Sequence, residues 1–307
     1  MSRRMAWWLA LRPFSYTTAI VPVLVGTALA AESDFKPGLF LLALAGSVLI
    51  LAGTNLATDF FDFVDGVQPG ASFGASIQSG LLMPREVHQA SIAVFLGAAA
   101  CGLVLVAYAG WPVLAAGVAS ICAGYFYTRS PIRYGRRGLG EVVVFFFMGP
   151  VMVMGAYYVQ LEQLTWPAFY ASLPVGLLVA NILHANNLRD IENDRSRGKV
   201  TMATLIGRPA ADFGLWALVL TAYGVVVAGA ALGGLGAGSL VVLSSLPAAL
   251  MTVNALREKE SRALNLLVRN SARLHMQFGV LLAVGLDEAS VPIVAIPGAV
   301  AAVRGGR

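Results

Sequence analysis

The chain has 307 residues, of which 58% are hydrophobic and 12% charged, with a net charge of +5 and a mean hydropathy of +0.75. Soluble domains carry about 25% charged residues, so this composition excludes an ordinary soluble domain and indicates an all-α, polytopic membrane protein. The basic residues lie in short segments between apolar runs, and their charge therefore does not indicate a nucleic-acid-binding protein.

Apolar stretches long enough to cross a bilayer, or nearly so, recur along the whole chain. Nine spans are predicted, near 14–31, 37–58, 89–108, 111–128, 140–159, 168–187, 212–232, 237–255 and 275–303. We therefore expect a single transmembrane domain over residues 1–307. Asp287 and Glu288 interrupt the last span, so the role of residues 287–307 is left open.

The basic, aromatic N-terminus allows a second interpretation, a cleavable signal. Arg12 and Pro13 interrupt its apolar stretch, and the run that follows them is long enough to span a bilayer. A first transmembrane helix is therefore preferred.

The distribution of basic residues tests the number of spans. With nine spans and the N-terminus inside, only Lys36, Arg304 and Arg307 of the 21 Lys and Arg residues fall outside. An error of one span in the middle would invert everything after it and remove this positive-inside bias. The N-terminus and the segments 59–88 and 188–211 are accordingly predicted to face the cytoplasm.

The most charged segment of the chain, residues 186–199, follows directly on the sixth apolar run. If the preceding helix continues through it, Asn187, Asp190 and Asp194 share one face. Their hard oxygen donors suit Mg²⁺, which keeps several waters and binds through one or two carboxylates plus substrate phosphate. Arg189 and Lys199 are then candidates to bind phosphate oxygens. The alternative is a solvated, mixed-charge loop between two membrane helices.

A second acidic cluster lies at the end of the second span. Asn55, Asp59 and Asp62 follow one another at i, i+4 and i+7, again on one helical face, and Asp65 is nearby. Acids within or beside membrane spans are costly and are functional candidates by default. Two such clusters on one side of the membrane could clamp one diphosphate through two Mg²⁺ ions.

Several stretches carry a resemblance to a known family. They are Asn55-Leu56-Ala57-Thr58-Asp59-Phe60-Phe61-Asp62, Ile77-Gln78-Ser79-Gly80, Tyr127-Thr128-Arg129-Ser130-Pro131, Gly138-Leu139-Gly140-Glu141, Tyr157-Tyr158-Val159-Gln160, Asn187-Leu188-Arg189-Asp190 with Asp194 and Gly198-Lys199-Val200-Thr201, and Leu274-His275-Met276-Gln277-Phe278. Together they resemble the UbiA-type intramembrane prenyltransferases, and within them the 1,4-dihydroxy-2-naphthoate prenyltransferase branch of menaquinone synthesis.

The resemblance implies a nine-helix bundle, Mg²⁺ as cofactor, a polyprenyl diphosphate donor and an aromatic quinone-precursor acceptor. It implies alkylation of the acceptor ring with loss of carbon dioxide, in the inner membrane of a bacterium and with no obligate protein partner. The residues it implies as metal ligands are Asn55, Asp59, Asp62, Asn187, Asp190 and Asp194, with Asp62, Asp190 and Asp194 as the catalytic ones.

Further residues have two interpretations each. Arg133 and Arg137 are candidates to bind the diphosphate, or they are charges that set topology. Glu141 is a candidate catalytic residue that orients an acceptor hydroxyl or acts as a base, or it is an acid that favours a helix N-terminus. Tyr127 and Tyr158 are candidates to border the acceptor or the prenyl tail, or they belong to an interfacial aromatic belt.

The chain departs from the family pattern near the first acidic cluster. The first position of the family's Asn-Asp-x-x-Asp motif is Thr58 here, and Gln68 stands where another Asp is common. His184, which precedes Asn187 by one helical turn, is interpreted as a packing residue.

Three other functions remain open at this point. A prenyltransferase of the same fold with a different aromatic or lipid acceptor would account for the departures. A cation-coupled transporter would use the same acids as an ion path, but the acids sit at helix ends and not at mid-span. A non-catalytic isoprenoid or quinone binder is the last alternative.

Overall fold

The computed structural model of the chain describes residues 2–66, 75–256 and 261–286. Over these residues the fold is helical and contains no strand, apart from one isolated parallel bridge between Arg137 and Val200. The prediction of an all-α chain is confirmed.

The first helices are α1 Arg3–Leu11, α2 Thr17–Asp34, α3 Pro37–Val64, the short α4 Ala75–Gln78, α5 Pro84–Ala109 and α6 Trp111–Phe126. Arg12 ends α1 in the left-handed conformation, with φ of 51°, and Pro13 begins the 3₁₀ turn that leads into α2. The chain therefore bends at the residue pair that interrupts the first apolar run.

The later helices are α7 Gly140–Phe146, α8 Met152–Leu161, α9 Trp166–Arg189, α10 Ile191–Ser196, α11 Met202–Ile206, α12 Arg208–Ala231, α13 Leu246–Asn254 and α14 Ser261–Gly285. A π-helical turn, Phe147–Val151, joins α7 to α8 and contains Pro150. Proline has no N–H for an intrahelical bond, and a π turn accommodates that loss without ending the helix.

Seven helical stretches are long and apolar enough to cross a membrane: Arg3–Ala31, Pro37–Val64, Pro84–Ala109, Gly140–Leu161, Trp166–Arg189, Arg208–Ala231 and Ala237–Asn254. The helix Trp111–Phe126 is apolar but shorter. By the length and composition of these helices, the chain is an integral membrane protein.

The first eight predicted spans each coincide with one of these helices. The ninth, 275–303, overlaps only the end of α14, and residues 287–303 lie outside the described part of the chain. Helix α14 begins at Ser261, well before that predicted start. The number of spans and the side of the membrane that each loop faces stay predictions.

Helix α9 is the most deeply buried of the candidate spans and occupies the centre of the bundle. The largest apolar cluster joins it to α2, α8, α12 and α14, with Leu178, Tyr157 and Phe278 among its fully buried side chains. A separate aromatic cluster, formed around Phe61 and Phe95, packs α3 against α5. The helices α3 and α9, whose charged ends carry the two acidic clusters, thus contribute to different apolar clusters.

The crossing of the Gly140–Leu161 span with α9 generates a stability prediction. A Cβ at Gly149 would lie 2.8 Å from the Gly176 Cα and 2.9 Å from the Ser172 carbonyl oxygen. Because these neighbours are backbone atoms, Gly149→Ala should lower the free energy of unfolding by about 1–3 kcal/mol. Gly155→Ala is the matched control, since a Cβ there meets nothing within 4 Å. Thermal unfolding of both variants in detergent tests this, and equal midpoints would contradict it.

Candidate active site

A cavity of about 290 Å³ lies where α3 and α9 end. We call it the polar cavity. Its polar lining side chains include Arg12, Asn55, Thr58, Asp59, Asp62, Tyr127, Arg136, Asn186, Asn187, Arg189, Asp190, Asp194 and Lys199. The two acidic clusters, far apart in sequence, therefore line one cavity.

The carboxylates of the first cluster are held by arginines from other parts of the chain. Arg12 donates to Asp59 Oδ1 at 2.5 Å, and the side chain of Asp59 is 1% exposed. Arg136 pairs with Asp62, and its other terminal nitrogen donates to Asp65 at 2.8 Å. Asp65 does not line the polar cavity, so its charge serves to hold Arg136.

Asn55 fixes the turn that carries Arg12. Its amide nitrogen donates to the Leu11 carbonyl at 3.1 Å and to Ser15 Oγ at 3.3 Å, and Ser15 Oγ donates to the Arg12 carbonyl at 2.8 Å. These bonds direct the nitrogen of Asn55 toward the turn, which leaves its amide oxygen as the atom available to a metal. The predicted ligand role of Asn55 stays a prediction.

The second cluster does not lie on one continuous helix. The helix before it does not continue through Asp190 and Asp194, so the shared helical face that depended on such a continuation is wrong. Helix α9 ends at Arg189, Asp190 leaves the helical region with φ of −96° and ψ of 8°, and α10 begins at the next residue. Asp190 and Asp194 nevertheless both line the polar cavity. The break turns their carboxylates inward by backbone conformation and not by helical periodicity.

Each of these two aspartates also has a cation. Arg189 donates to both oxygens of Asp190, at 2.9 and 2.6 Å. Lys199 Nζ lies 3.2 and 3.1 Å from the oxygens of Asp194. Burial raises the pKa of Asp194 above its ordinary value, and the Lys199 ammonium opposes that shift.

Glu141 supports Asn187 from behind the cavity wall. Its Oε1 accepts from Asn187 Nδ2 at 2.9 Å and lies 3.2 Å from His184 Nδ1, while His184 Nε2 donates to the Ala211 carbonyl at 2.8 Å. Because the amide nitrogen of Asn187 is engaged, its oxygen is free to face the cavity. Glu141 itself does not line the cavity, so the geometry favours a positioning role over direct contact with an acceptor. His184, interpreted as a packing residue, belongs to this buried hydrogen-bonded group.

The loop after α6 supplies a different arginine from those predicted. Arg136 lines the polar cavity, whereas Arg133 and Arg137 do not. Arg137 donates to the Pro131 carbonyl at 2.8 Å, and Arg133 lies 3.6 Å from Asp65. The backbone N–H of Gly138 donates to the Val200 carbonyl at 3.2 Å, which ties this loop to the segment that carries Lys199. We therefore replace Arg133 and Arg137 by Arg136 as the candidate phosphate ligand of this loop.

Tyr127 borders the polar cavity, and its place beside the acceptor or the prenyl tail stays a prediction. Its ring packs edge-on against Tyr134 at 5.2 Å and flat against Gly135, where a Cβ would lie 2.7 Å from the ring. Tyr134 donates its hydroxyl to the Ala123 carbonyl, and burial raises the pKa of Tyr134 above its ordinary value. Both phenols are therefore held in fixed orientations.

A second, larger cavity of about 770 Å³ adjoins the first. We call it the apolar chamber. It lies between α3, α5, α6 and the Gly140–Leu161 span, and it shares the wall residues Ile50, Ser120 and Met152 with the polar cavity. Tyr158 lines this chamber and not the polar cavity, which separates the two tyrosines predicted for one pocket.

The donor set of the polar cavity fits Mg²⁺. Asp59 Oδ2 and Asn186 Oδ1 are buried oxygens without a hydrogen-bond partner, and both side chains line the cavity. Within the described ranges no three His, Cys, Asp or Glu side chains converge closely enough to hold an ion by themselves. That spacing suits an ion that keeps waters and shares its remaining positions with phosphate oxygens.

The polar and charged residues of the cavity lining that sequence reasoning missed include Arg12, Arg136, Asn186, Asn193 and Arg197. Arg12 had a usable signal, because an Arg-Pro pair interrupts an otherwise apolar run. Asn186 and Arg136 had no usable signal in the sequence. Asn187 is a second asparagine beside Asn186, and other arginines lie close to Arg136, so the sequence did not distinguish between these neighbours.

Comparisons with known proteins place this geometry in a family. Residues 19–272 match the UbiA prenyltransferase family. The chain is 31% identical over 291 residues to the 1,4-dihydroxy-2-naphthoate octaprenyltransferase of Bacillus subtilis (strain 168), covering 91% of each chain. It is 36% identical over 218 residues to the 1,4-dihydroxy-2-naphthoate octaprenyltransferase of Escherichia coli (strain K12), covering 67% of this chain and 70% of that one.

A solved structure shares the fold. A UbiA homolog from Archaeoglobus fulgidus, bound to DMAPP and Mg²⁺, superposes with a TM-score of 0.60, covering 91% of this chain and 99% of that one, at 18% identity. At this identity the likeness concerns the fold alone.

The support that Glu141 gives to Asn187 can be tested. Glu141→Ala frees the Asn187 amide to rotate and should weaken Mn²⁺ binding in the presence of pyrophosphate by about 10–100-fold. Glu141→Gln keeps an oxygen for the Asn187 N–H and should lose much less. Electron paramagnetic resonance of bound Mn²⁺ measures both variants. Glu162→Ala, at the exposed end of α8, is the control, and equal affinities in all three variants would refute the positioning role.

Proposed function

This chain belongs to the UbiA prenyltransferase family, and we propose that it transfers a polyprenyl group from a polyprenyl diphosphate to 1,4-dihydroxy-2-naphthoate, with decarboxylation, to give demethylmenaquinol. The relatives from Bacillus subtilis and Escherichia coli bear the name of that reaction, which supports the proposed acceptor. Mg²⁺ is the proposed cofactor. No protein partner is part of the proposal.

The observation that carries the proposal is the adjacency of the polar cavity and the apolar chamber. A polyprenyl diphosphate has a strongly anionic head and a long hydrocarbon tail, and the reacting carbon lies between them. The two compartments share Ile50, Ser120 and Met152, so a donor with its head among the aspartates can extend its tail past these residues. Ligand sites of this kind are mostly apolar with a few convergent polar groups.

The chemistry follows from what the lining residues offer. The donor's carbon–oxygen bond breaks, and its electron pair leaves with the diphosphate. Mg²⁺, when bound, supplies Lewis-acid stabilisation of the charge that develops on the leaving group. Arg136, Arg189 and Lys199 are placed to donate to the phosphate oxygens that the metal leaves free, and Arg–phosphate pairs are frequently bidentate.

The acceptor ring then attacks the prenyl carbon at the border of the two compartments. In the naphthoate the attacked ring carbon carries a carboxylate, and carbon dioxide leaves as the new carbon–carbon bond forms. The ring therefore recovers its aromatic sextet without a base that removes a ring proton. The absence of Glu141 from the lining of the polar cavity agrees with this route, because the route demands no general base.

Membrane placement completes the proposal. We infer nine spans in a bacterial inner membrane, with the N-terminus and both acidic segments on the cytoplasmic side. The seven candidate spans, together with Trp111–Phe126 and α14, supply the helices that this arrangement requires. A diphosphate head then meets cytoplasmic Mg²⁺ while the tail stays in hydrocarbon.

Another acceptor is the second candidate, and Thr58 favours it. Thr58 lines the polar cavity at the position where the family pattern has asparagine. Threonine presents a branched hydroxyl side chain where the family pattern has a carboxamide, so the wall of the cavity differs in shape and in hydrogen-bonding groups at this point. Gln68, the other departure, lies outside the described residues. A same-fold prenyltransferase with a different aromatic or lipid substrate would contact this altered wall.

The reaction is tested with the purified protein, dihydroxynaphthoate carrying a labelled carboxylate, mixed polyprenyl diphosphates and Mg²⁺. Wild type should form a prenylated naphthoquinol and release labelled carbon dioxide in equal amounts. Asp190→Ala should lower kcat at least about 100-fold, because it removes a charged group that acts on the developing transition state.

Glu192→Ala is the matched control for Asp190→Ala. Glu192 lies two residues along the same segment, with a side chain that is 77% exposed. Its activity should equal that of wild type. Turnover with another aromatic acceptor but not with dihydroxynaphthoate would support the second candidate, and no turnover with any acceptor would refute the enzyme.

The role of the apolar chamber is tested by donor length. Gly117 lines the chamber, and a Cβ there meets nothing within 4 Å. Gly117→Phe should place its ring in the chamber and lower kcat/KM for long polyprenyl donors about tenfold or more, while dimethylallyl diphosphate is unaffected. Gly224→Phe, at an equally open position of α12 outside the chamber, is the control. An equal loss for short and long donors would place the tail elsewhere.

A further inference from the structure

We propose that the cations that pair with the aspartates of the polar cavity exchange partners when substrate arrives, so that the metal ion and the diphosphate bind together and each binds weakly alone. Metal takes the carboxylates, and the released cations take the phosphate oxygens. This inference rests on the proposed function, and it adds Arg12 to the residues that bind the donor's head.

The first observation is that the pairing is complete. Every aspartate that lines the polar cavity contacts a basic side chain that lines it too. The pairs are Asp59 with Arg12, Asp62 with Arg136, Asp190 with Arg189, and Asp194 with Lys199. A metal that binds these carboxylates must therefore compete with a cation that is already in place.

The second observation concerns the pair of Arg12 and Asp59. Only one nitrogen of Arg12 contacts one oxygen of Asp59, at 2.5 Å. Arg12 Nε and Asp59 Oδ2 are both buried without a hydrogen-bond partner. Buried polar atoms of this kind normally have partners, and leaving them unpaired costs free energy. The free oxygen suits a metal and the free N–H suits a phosphate oxygen, so each member of the pair has an open position for one of the two ligands.

The third observation is that the cations come from separate segments. Arg12 lies in the turn before α2, Arg136 in the loop after α6, Arg189 at the end of α9 and Lys199 beyond α10. An exchange of partners therefore needs no common movement of a single backbone segment. Arg136 also keeps Asp65 as a partner, at 2.8 Å, when it leaves Asp62.

Charge pairing makes the two ligands dependent on each other. A metal ion that arrives alone takes Asp59 from Arg12 and leaves this partly buried cation unpaired, which is unfavourable. A diphosphate that arrives alone draws the cations away and leaves carboxylates beside its own negative charge. When both arrive, every charge has an opposite partner. Coupling between two ligands of this kind is commonly 5–150-fold, and it is reciprocal.

The test measures metal and diphosphate binding separately, with the full-length purified protein and without any turnover. Bound Mn²⁺ is followed by electron paramagnetic resonance with and without inorganic pyrophosphate, and labelled pyrophosphate is followed by equilibrium dialysis with and without Mn²⁺. In wild type each probe should bind at least about tenfold more tightly in the presence of the other.

The decisive variants are Arg12→Gln and Arg136→Gln, for which the two probes should respond in opposite directions. Each variant removes a competitor of the metal, so Mn²⁺ alone should bind about 3–10-fold more tightly than in wild type. Each also removes a phosphate ligand, so pyrophosphate in the presence of Mn²⁺ should bind about tenfold more weakly. Arg3→Gln is the matched control, because Arg3 pairs with Glu86 on the exposed surface, outside the cavity.

The outcomes separate the exchange from the function on which it rests. Weaker or unchanged binding of Mn²⁺ alone in both folded variants would show that the arginines only hold the aspartates in position and do not compete with the metal. That result would overturn the exchange. Equal Mn²⁺ affinity with and without pyrophosphate in wild type, in a preparation that still transfers prenyl groups, would overturn the exchange alone. Absence of Mn²⁺ binding under every condition would overturn the exchange and the metal-dependent function together.

Discussion

Opposite charge pairing at the ends of two apolar helices is the constraint on which the rest of the site depends. Asp59 and Asp194 are 4% exposed, and a buried carboxylate is tolerated only beside a cation or a metal. Three local irregularities of the backbone satisfy that demand. They are the left-handed Arg12 before Pro13, the loop after α6 and the break at Asp190. Each brings a charge into the cavity that a straight helix would direct elsewhere.

The same constraint explains which features of the structure could be predicted from the sequence. The apolar runs predicted a helix at each of the first eight positions, of which seven are long enough to cross a membrane, because the length of a bilayer-crossing helix is set by the hydrocarbon thickness. The aspartates could be predicted as site residues because acids at the ends of such helices are energetically costly and are therefore functional candidates. Both arguments use the free-energy cost of placing an unsuitable residue in the bilayer. That cost is large for a single residue, so it can be used without knowledge of the fold.

The sequence did not show which of several neighbouring residues of the same type lines the cavity. Arg133, Arg136 and Arg137 all satisfy the positive-inside rule, and only the turn conformation after α6 decides that Arg136 faces the cavity. Asn186 and Asn187 differ by one position, and a helix end between Arg189 and Ile191 places both at the wall. Helical periodicity assigns faces only while the helix continues. Functional sites that lie at helix ends are therefore located by sequence to a segment, and to individual residues only by the backbone.

Helix α3 links the two compartments in a way that bears on the departure at Thr58. Gly46 and Ser47 line the apolar chamber, Ile50 lines both compartments, and Asp62 lies about 18 Å along the axis from Ile50, at 1.5 Å per residue. Thr58 occupies this helix between the shared wall and Asp62. Threonine in place of asparagine exchanges a carboxamide for a hydroxyl and changes no charge, so the pairing of aspartates with cations is preserved. The departure therefore changes the wall between the two compartments and leaves the pairs of aspartates and cations intact, so under the proposed function the choice of acceptor can change independently of the residues that bind the donor.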